Sequence, residues 1–226
     1  MTRTPIELPW QCIDTVLLDL DGTLLDLYFD NHFFGEHLPR RLAAHWGIDV
    51  AAARADLTAR YKAVEGTLDW YCLDYWHREL GIDLVELKAE IGELVQWRAH
   101  APAFLERLAA AGKRRVLATN AHPGSTGFKF ERLALAEAFD AQYSAHDVGA
   151  AKESQAFWRA LHAREGFDVE RTLFVDDNPA VLAAARAFGL PQLLGIRRPD
   201  SSQPARALKG FTAVDDFDEV EAPRPS

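Results

Sequence analysis

The sequence predicts an α/β fold: a Rossmann-like, doubly wound parallel sheet carrying a helical insert. Three observations predict it. Short apolar runs alternate with helical patterns along residues 101–196. Another apolar run, TVLLDL at 15–20, stands apart near the N-terminus. Between the two, residues 27–97 hold helical patterns and no strand-like run.

In chain order, the 15–20 run is apolar until its closing acid, as in a strand buried on both faces. Four helical stretches follow, at 29–47, 49–66, 67–80 and 84–98, with Gly47, Gly66 and Gly81 as punctuation. In the third, Trp70, Leu73, His77 and Leu80 share helical spacing and suit an apolar interior. Residues 27–97 thus read as a helical (four-helix) second domain, hung on a discontinuous core of 1–26 and 98–226. The core resumes with a helix at 101–113 that places Phe104, Leu105 and Leu108 on one face and stops at Gly112. RRVLATN (114–120) is the next strand. A helix at 152–166 turns Phe157, Trp158 and Leu161 inward. RTLFVDDN (171–178) is a strand, and PAVLAAARAFGL (179–190) is a helix opened by Pro179 and closed by Gly189. PQLLGI (191–196) is the last strand, and the final dozen residues read as a frayed tail.

Composition narrows the function. The chain has 226 residues, with 25 Lys and Arg against 34 Asp and Glu, a formal charge of −9. An acidic surface argues against a nucleic-acid partner. It leaves room for a small anion in a locally positive pocket. Cys12 and Cys72 are the two cysteines, too few for a disulfide framework, and they read as reduced thiols of a cytoplasmic protein. The N-terminal stretch has no apolar run of signal-peptide length, and no run reaches bilayer length, so no membrane is implied.

The chemistry sits at the strand ends. In a parallel sheet these share one rim, where ligands bind. Asp19, Asp21 and Thr23 follow the first strand; Thr119 and Asn120 end the second; Asp176 and Asp177, with Asn178, end the 171–178 run. Lys152, read as the start of a helix, can reach the same rim. Clustered carboxylates repel unless a cation cancels their charge. Mg²⁺ takes one or two carboxylates plus substrate phosphate, and Asp19 and Asp176 are the natural pair. A free Asp19 oxygen can then attack phosphorus and form an aspartyl-phosphate. Asp21 lies on the same side by strand alternation and can act as acid, then base, a role worth about 10²- to 10⁴-fold. Thr119 and Asn120 suit the phosphoryl oxygens, Lys152 their charge, and Thr23 the turn. Singly, each is an ordinary turn or cap residue; together, at successive strand ends, they make a catalytic set.

DLDGT (19–23), LATN (117–120), Lys152 and FVDDN (174–178) resemble the four motifs of the haloacid dehalogenase superfamily. The resemblance implies Asp19 as nucleophile, Asp21 as acid and base, and Mg²⁺ held by Asp19, Asp176 and the Asp21 backbone carbonyl. It implies Asp177 as an outer or third acidic ligand, and the insert as a C1 cap that closes over the site and selects substrate. Members that cleave carbon–halogen bonds lack an acid at the Asp21 position, so its presence implies phosphate-ester chemistry. A phosphonate-cleaving member would need a Schiff-base lysine in the cap. Lys62 and Lys88 are the cap lysines, and their sequence neighbours mark neither as desolvated. Many members have proline after the motif lysine, where Glu153 stands here.

Longer stretches, LLDLDGTLLDLYFDNHFF, TLDWYCLDYW, TNAHP and RTLFVDDN…FGL, are similar to the superfamily's purine 5′-nucleotidases. That likeness implies hydrolysis of purine nucleoside monophosphates such as GMP and IMP. A sugar-phosphate phosphatase and a phosphoglucomutase-type transferase are the alternatives. Asp30 and Asn31, just past the first crossing into the insert, suit base edges or ribose hydroxyls. Trp70 and Tyr71 offer faces for a purine, and His122 stands on a rim loop.

Overall fold

The computed structural model describes residues 5–221 and Pro223. A six-stranded, all-parallel sheet has the order β3-β2-β1-β4-β5-β6, with β1 Thr15–Leu18, β2 Arg114–Thr119, β3 Ala141–Ser144, β4 Thr172–Asp176, β5 Gln192–Ile196 and β6 Ala213–Val214. The four anticipated strands are present with tighter bounds. β3 and β6 escaped the sequence reading for a physical reason. AQYS is half exposed and carries no apolar run, and β6 is two residues long.

Alternation along the strands sorts the core into two faces. Val16 and Leu18 pack with Leu173, Val175 and the helix Ala101–Ala110, through Phe104, Leu105 and Leu108. Leu17, Val116 and Phe174 face the opposite way, onto Phe157, Trp158 and Leu161 of Gln155–Glu165 and onto Pro179–Phe188. Each such fully buried side chain contributes about 1.5–3 kcal/mol.

Between β1 and β2 the chain is helical, in more pieces than four. The first stretch runs through Tyr28–His32, a π-helical turn Phe33–His37 and Leu38–Trp46 without leaving the helical region, and Gly47 closes it at φ 68°. Val50–Val64 follows, its first turn capped by the Asp49 carboxylate. The third stretch breaks at Cys72, whose extended backbone separates Leu68–Tyr71 from Leu73–Leu80. Its buried side is Leu73, Trp76 and Leu80, with His77 exposed and Trp70 half-buried. The fourth stretch is helical only over Leu84–Ala89, with a 3₁₀ turn at Gly92–Leu94. By Trp97 the chain is extended and bridges Leu25 in antiparallel fashion. The two crossings between sheet and insert therefore lie side by side, joined by Asp26 N–H to Gln96 C=O at 3.0 Å and Arg98 N–H to Leu24 C=O at 2.9 Å.

Helices Pro123–Leu133 and Ala145–Val148 were not anticipated; two glycines inside the first hide its periodicity. The tail is not frayed up to Glu221. Phe217 stacks on Phe104 at 4.4 Å, and the Glu221 carbonyl accepts from Trp10 Nε1 at 2.7 Å. The rest of the anticipated tail, Pro223 apart, and the first four residues lie outside the described part. Among the described residues, no helix is long and apolar enough to cross a membrane.

Candidate functional site

Register builds the centre. Leu18 pairs with Leu117 on one side and Val175 on the other, so Asp19 and Asp176 emerge together at the rim. The Asp19 N–H still bonds to Val175 C=O, at 3.0 Å. This is the sheet's switch point, where β4 takes the side of β1 opposite to β2. Lys152 Nζ lies 2.5 Å from Asp19 Oδ1, 2.7 Å from Asp176 Oδ2 and 3.1 Å from the Ala118 carbonyl. Lys152 does not begin a helix. That helix starts at Gln155 with Ser154 as its cap, and Lys152 sits in the preceding turn. Asn120 holds the turn: its Oδ1 accepts from the Lys152 N–H at 2.8 Å, and its Nδ2 donates to Glu153 at 3.0 Å. The Asn120 side chain is thus engaged in placing Lys152, while Thr119 Oγ1 accepts from the Ala121 N–H at 3.0 Å.

Three carboxylates, of Asp19, Asp176 and Asp177, have oxygens within 4.8 Å of one another, all buried. Burial, opposed by Lys152 and aided by Asp176, pushes Asp19 up to about 7. Burial likewise raises Asp176 to about 6, against Lys152, and Asp177 to about 7. Burial also disfavours the Lys152 charge, but Asp176 and Asp19 outweigh it and raise its pKa, so the ammonium is firm. One lysine does not satisfy the cluster: Asp19 Oδ2 is buried with no hydrogen-bond partner. Crowded hard oxygens with an orphaned lone pair are the donor chemistry that suits Mg²⁺, and the residues fit that ion. Gly22, at φ +90°, permits the close turn: a Cβ there would lie 2.9 Å from Asp177 Cγ and 3.0 Å from Pro199 Cβ.

Asp21 lines the same cavity as this cluster and opens a chain of alternating charge. Its Oδ1 meets Lys129 Nζ at 2.6 Å; Lys129 also meets Asp30 at 2.7 Å; Asp30 meets Lys88 Nζ at 2.6 Å. Burial raises the Asp21 pKa against the pull of Lys129. Asp30 is instead held below the usual carboxylate range, because Lys129 and Lys88 together outweigh its burial. Lys88 corrects the sequence reading: it is a desolvated amine, with phenyl faces of Phe29, Phe33 and Phe34 at 4.9, 4.7 and 5.0 Å, and burial lowers its pKa despite Asp30.

A cavity of about 720 Å³ opens between insert and rim, and Asp30, Asn31, Trp70, Tyr71 and His122 all line it. Most of their polar atoms already have partners. Asn31 donates to Asp200 at 2.7 Å, Tyr71 to Glu153 at 2.7 Å, and His122 Nδ1 caps the Gly124 N–H at 3.2 Å. Thr23 does not line the cavity, and its buried hydroxyl has no partner, so it does not steady the turn by hydrogen bonding. Sequence reasoning missed three residues. Lys129 lies on the unforeseen helix, and Arg206, 2.6 Å from Asp177, lies on a loop. Glu153, joining Tyr71 to Asn120, stands at the one motif position flagged as a departure.

A Rossmann-like parallel sheet with an acid-and-lysine centre at its switch point, opened after the first strand by a helical insert, defines a class of α/β hydrolase. The chain belongs to the haloacid dehalogenase-like hydrolases, whose family model matches residues 13–189. It is 41% identical over 212 residues to the GMP/IMP nucleotidase YrfG of Escherichia coli, covering 94% of this chain and 96% of that one. In fold it is similar to a HAD phosphatase from Thermococcus onnurineus, with TM-score 0.73 and 20% identity over 89% of this chain and 93% of that one. It is also similar to a putative β-phosphoglucomutase from Thermotoga maritima, with TM-score 0.62 and 21% identity over 89% and 93%.

Proposed function

We propose that this hydrolase is a Mg²⁺-dependent phosphomonoesterase that converts purine nucleoside monophosphates, GMP and IMP, to nucleoside and phosphate. Residues 27–97 are its cap, and 1–26 with 98–226 its catalytic core. One observation carries the chemistry: Asp19 has one oxygen held by Lys152 and the other buried without a partner beside the cavity. The base preference rests on the relative that matches across nearly the whole chain.

One oxygen of the Asp19 carboxylate attacks phosphorus; the new P–O bond forms as the bond to the 5′-oxygen breaks. Asp21, whose pKa burial raises, gives its proton to the leaving alkoxide. Asp21 then takes a proton from water, which attacks the phosphoryl group and frees phosphate and the Asp19 carboxylate. Lys152 holds Asp19 in place, and Thr119 with the neighbouring backbone suits the phosphoryl oxygens. Asp19, Asp176 and the Asp21 backbone carbonyl, with Asp177 as an outer or third acidic ligand, would hold Mg²⁺, which would supply charge neutralisation on the transferring group.

Phosphate release from GMP, IMP, AMP, glucose 1-phosphate and phosphoglycolate, with Mg²⁺ or with EDTA, tests this. GMP and IMP should exceed the other phosphates by at least about 10-fold in kcat/KM, and EDTA should remove the activity. Equal or better turnover of sugar phosphates, or isomerisation without phosphate release, overturns it. Lys129→Met tests the Asp21 arrangement. It strips the cation shared by Asp21 and Asp30 and should lower kcat about 10²-fold while Mg²⁺ still binds. Unchanged kcat removes Lys129 from the account.

A further inference from the structure

Apart from the carboxylate centre, a second group of ligating atoms meets where insert and sheet touch. Cys72 sits at the break between Leu68–Tyr71 and Leu73–Leu80; His122 caps the helix after β2; His146 lies in Ala145–Val148, after β3. The Cys72 sulfur and a nitrogen from each histidine lie within 4.8 Å of one another. The imidazoles meet edge to face, with centroids 4.9 Å apart and planes at 76°. His146 Nε2 is buried and has no hydrogen-bond partner. A buried imidazole nitrogen without a partner is costly unless something occupies its lone pair or proton.

We propose that Cys72, His122 and His146 form a site for a borderline transition ion of the Zn²⁺ class, which pins the insert to the rim of the sheet. One thiolate and two imidazoles are the donors that Zn²⁺ takes and Mg²⁺ refuses. From ordinary Zn–S and Zn–N lengths, such donors stand roughly 3.3–3.6 Å apart around a tetrahedral ion. Closing from the present spacing takes inward shifts on the order of 1 Å, within the reach of side-chain rotation. Burial and the neighbouring His122 lower the His146 pKa against the Tyr71 backbone, which favours the neutral, ligating ring. The thiol gives up its proton to solvent on binding. His122 releases the Gly124 N–H that its Nδ1 caps when it ligates, and a water completes the shell.

Only the effect of the ion on turnover rests on the proposed phosphatase reading; binding does not. Cys72 belongs to the insert and both histidines to the sheet side, so the ion ties the two together. If the insert must swing aside to exchange nucleotide, the ion slows turnover from outside the Asp19 centre.

The test is titration of the whole protein with Co²⁺ and Zn²⁺ in excess Mg²⁺. Wild type should take one Co²⁺ with thiolate-to-metal charge-transfer absorption that Cys72→Ser lacks. Zn²⁺ affinity, read by competition with a chromogenic chelator, should fall at least about 10-fold in Cys72→Ser and in His146→Gln. Serine keeps a side-chain cap for Leu73–Leu80, and neither residue lines the cavity, so Zn-free turnover should be retained. A Co²⁺ spectrum without the thiolate band, or wild-type Zn²⁺ affinity in Cys72→Ser, overturns the site, whether or not GMP proves to be the substrate. Zn²⁺ inhibition that Cys72→Ser relieves supports the pinning; equal inhibition of both proteins overturns it.

Discussion

Asp19→Asn is expected to abolish phosphate release from GMP while the protein stays folded. The amide has nearly the same shape, so the rim keeps its packing, but it is no nucleophile. Loss of a covalent nucleophile removes at least about 10⁴-fold in kcat. Stability should move the other way. Burial pushes the Asp19 carboxyl up to about 7, well above the usual carboxylate range. A carboxyl raised in the folded state binds its proton more tightly there, so the folded state loses stability as pH rises from about 4 through 7. In metal-free buffer at pH 8 the ionised Asp19 therefore strains the cluster, and the neutral amide relieves it. The thermal midpoint of Asp19→Asn under EDTA should equal or exceed that of wild type. Residual turnover within about 10²-fold of wild type would mean that another group attacks phosphorus.

Lys152→Met should damage both stability and activity. Lys152 is the buried cation between Asp19 and Asp176, and it also bonds the Ala118 carbonyl. Methionine keeps the volume and removes the charge, leaving two buried carboxylates facing each other. Removing one partner of a buried ion pair costs about 3–5 kcal/mol. In a chain of this size that lowers the thermal midpoint by about 10 °C. The loss should be largest in EDTA and partly restored by Mg²⁺, since the proposed ion would bind the folded state and replace the missing charge. The Lys152 pKa is raised, so its contribution is complete at neutral pH and fades only in strong alkali. A midpoint within about 2 °C of wild type under EDTA would show that Lys152 does not hold the cluster together.

The acids were legible because strand termination is local: DLDGT and FVDDN each announce a rim position within five residues. What joined them was sheet order, inferred from alternation and realised through Leu18 pairing with Val175. The surroundings of Asp21 were not legible. Lys129 lies in PGSTGFKFERL, where glycines blur the helical period, and its partners Asp21 and Asp30 lie far off in sequence. Lys88 looked ordinary for a related reason. Its desolvation comes from Phe29, Phe33 and Phe34, brought across by tertiary packing rather than by sequence neighbours. Asn120 shows the opposite limit: its position was right, but its side chain turned inward to hold the lysine turn. Edge strands β3 and β6 were lost because pairing, not hydrophobicity, makes them strands.

The side-by-side crossings at Leu25 and Trp97 have a kinetic consequence. β1 and β2 must pair as Thr15 with Arg114, a contact of high sequence separation. An insert that folds first brings Leu25 and Trp97 together and leaves a far shorter loop for the sheet to close. By the logarithmic law of loop closure this lowers the entropic barrier by about 1 kcal/mol. Leu57→Ala, deep inside the insert, should therefore slow refolding of the whole sheet in stopped-flow experiments, rather than only speed unfolding. The segment that shapes the cavity in the finished protein is also the splint on which its central strands find each other.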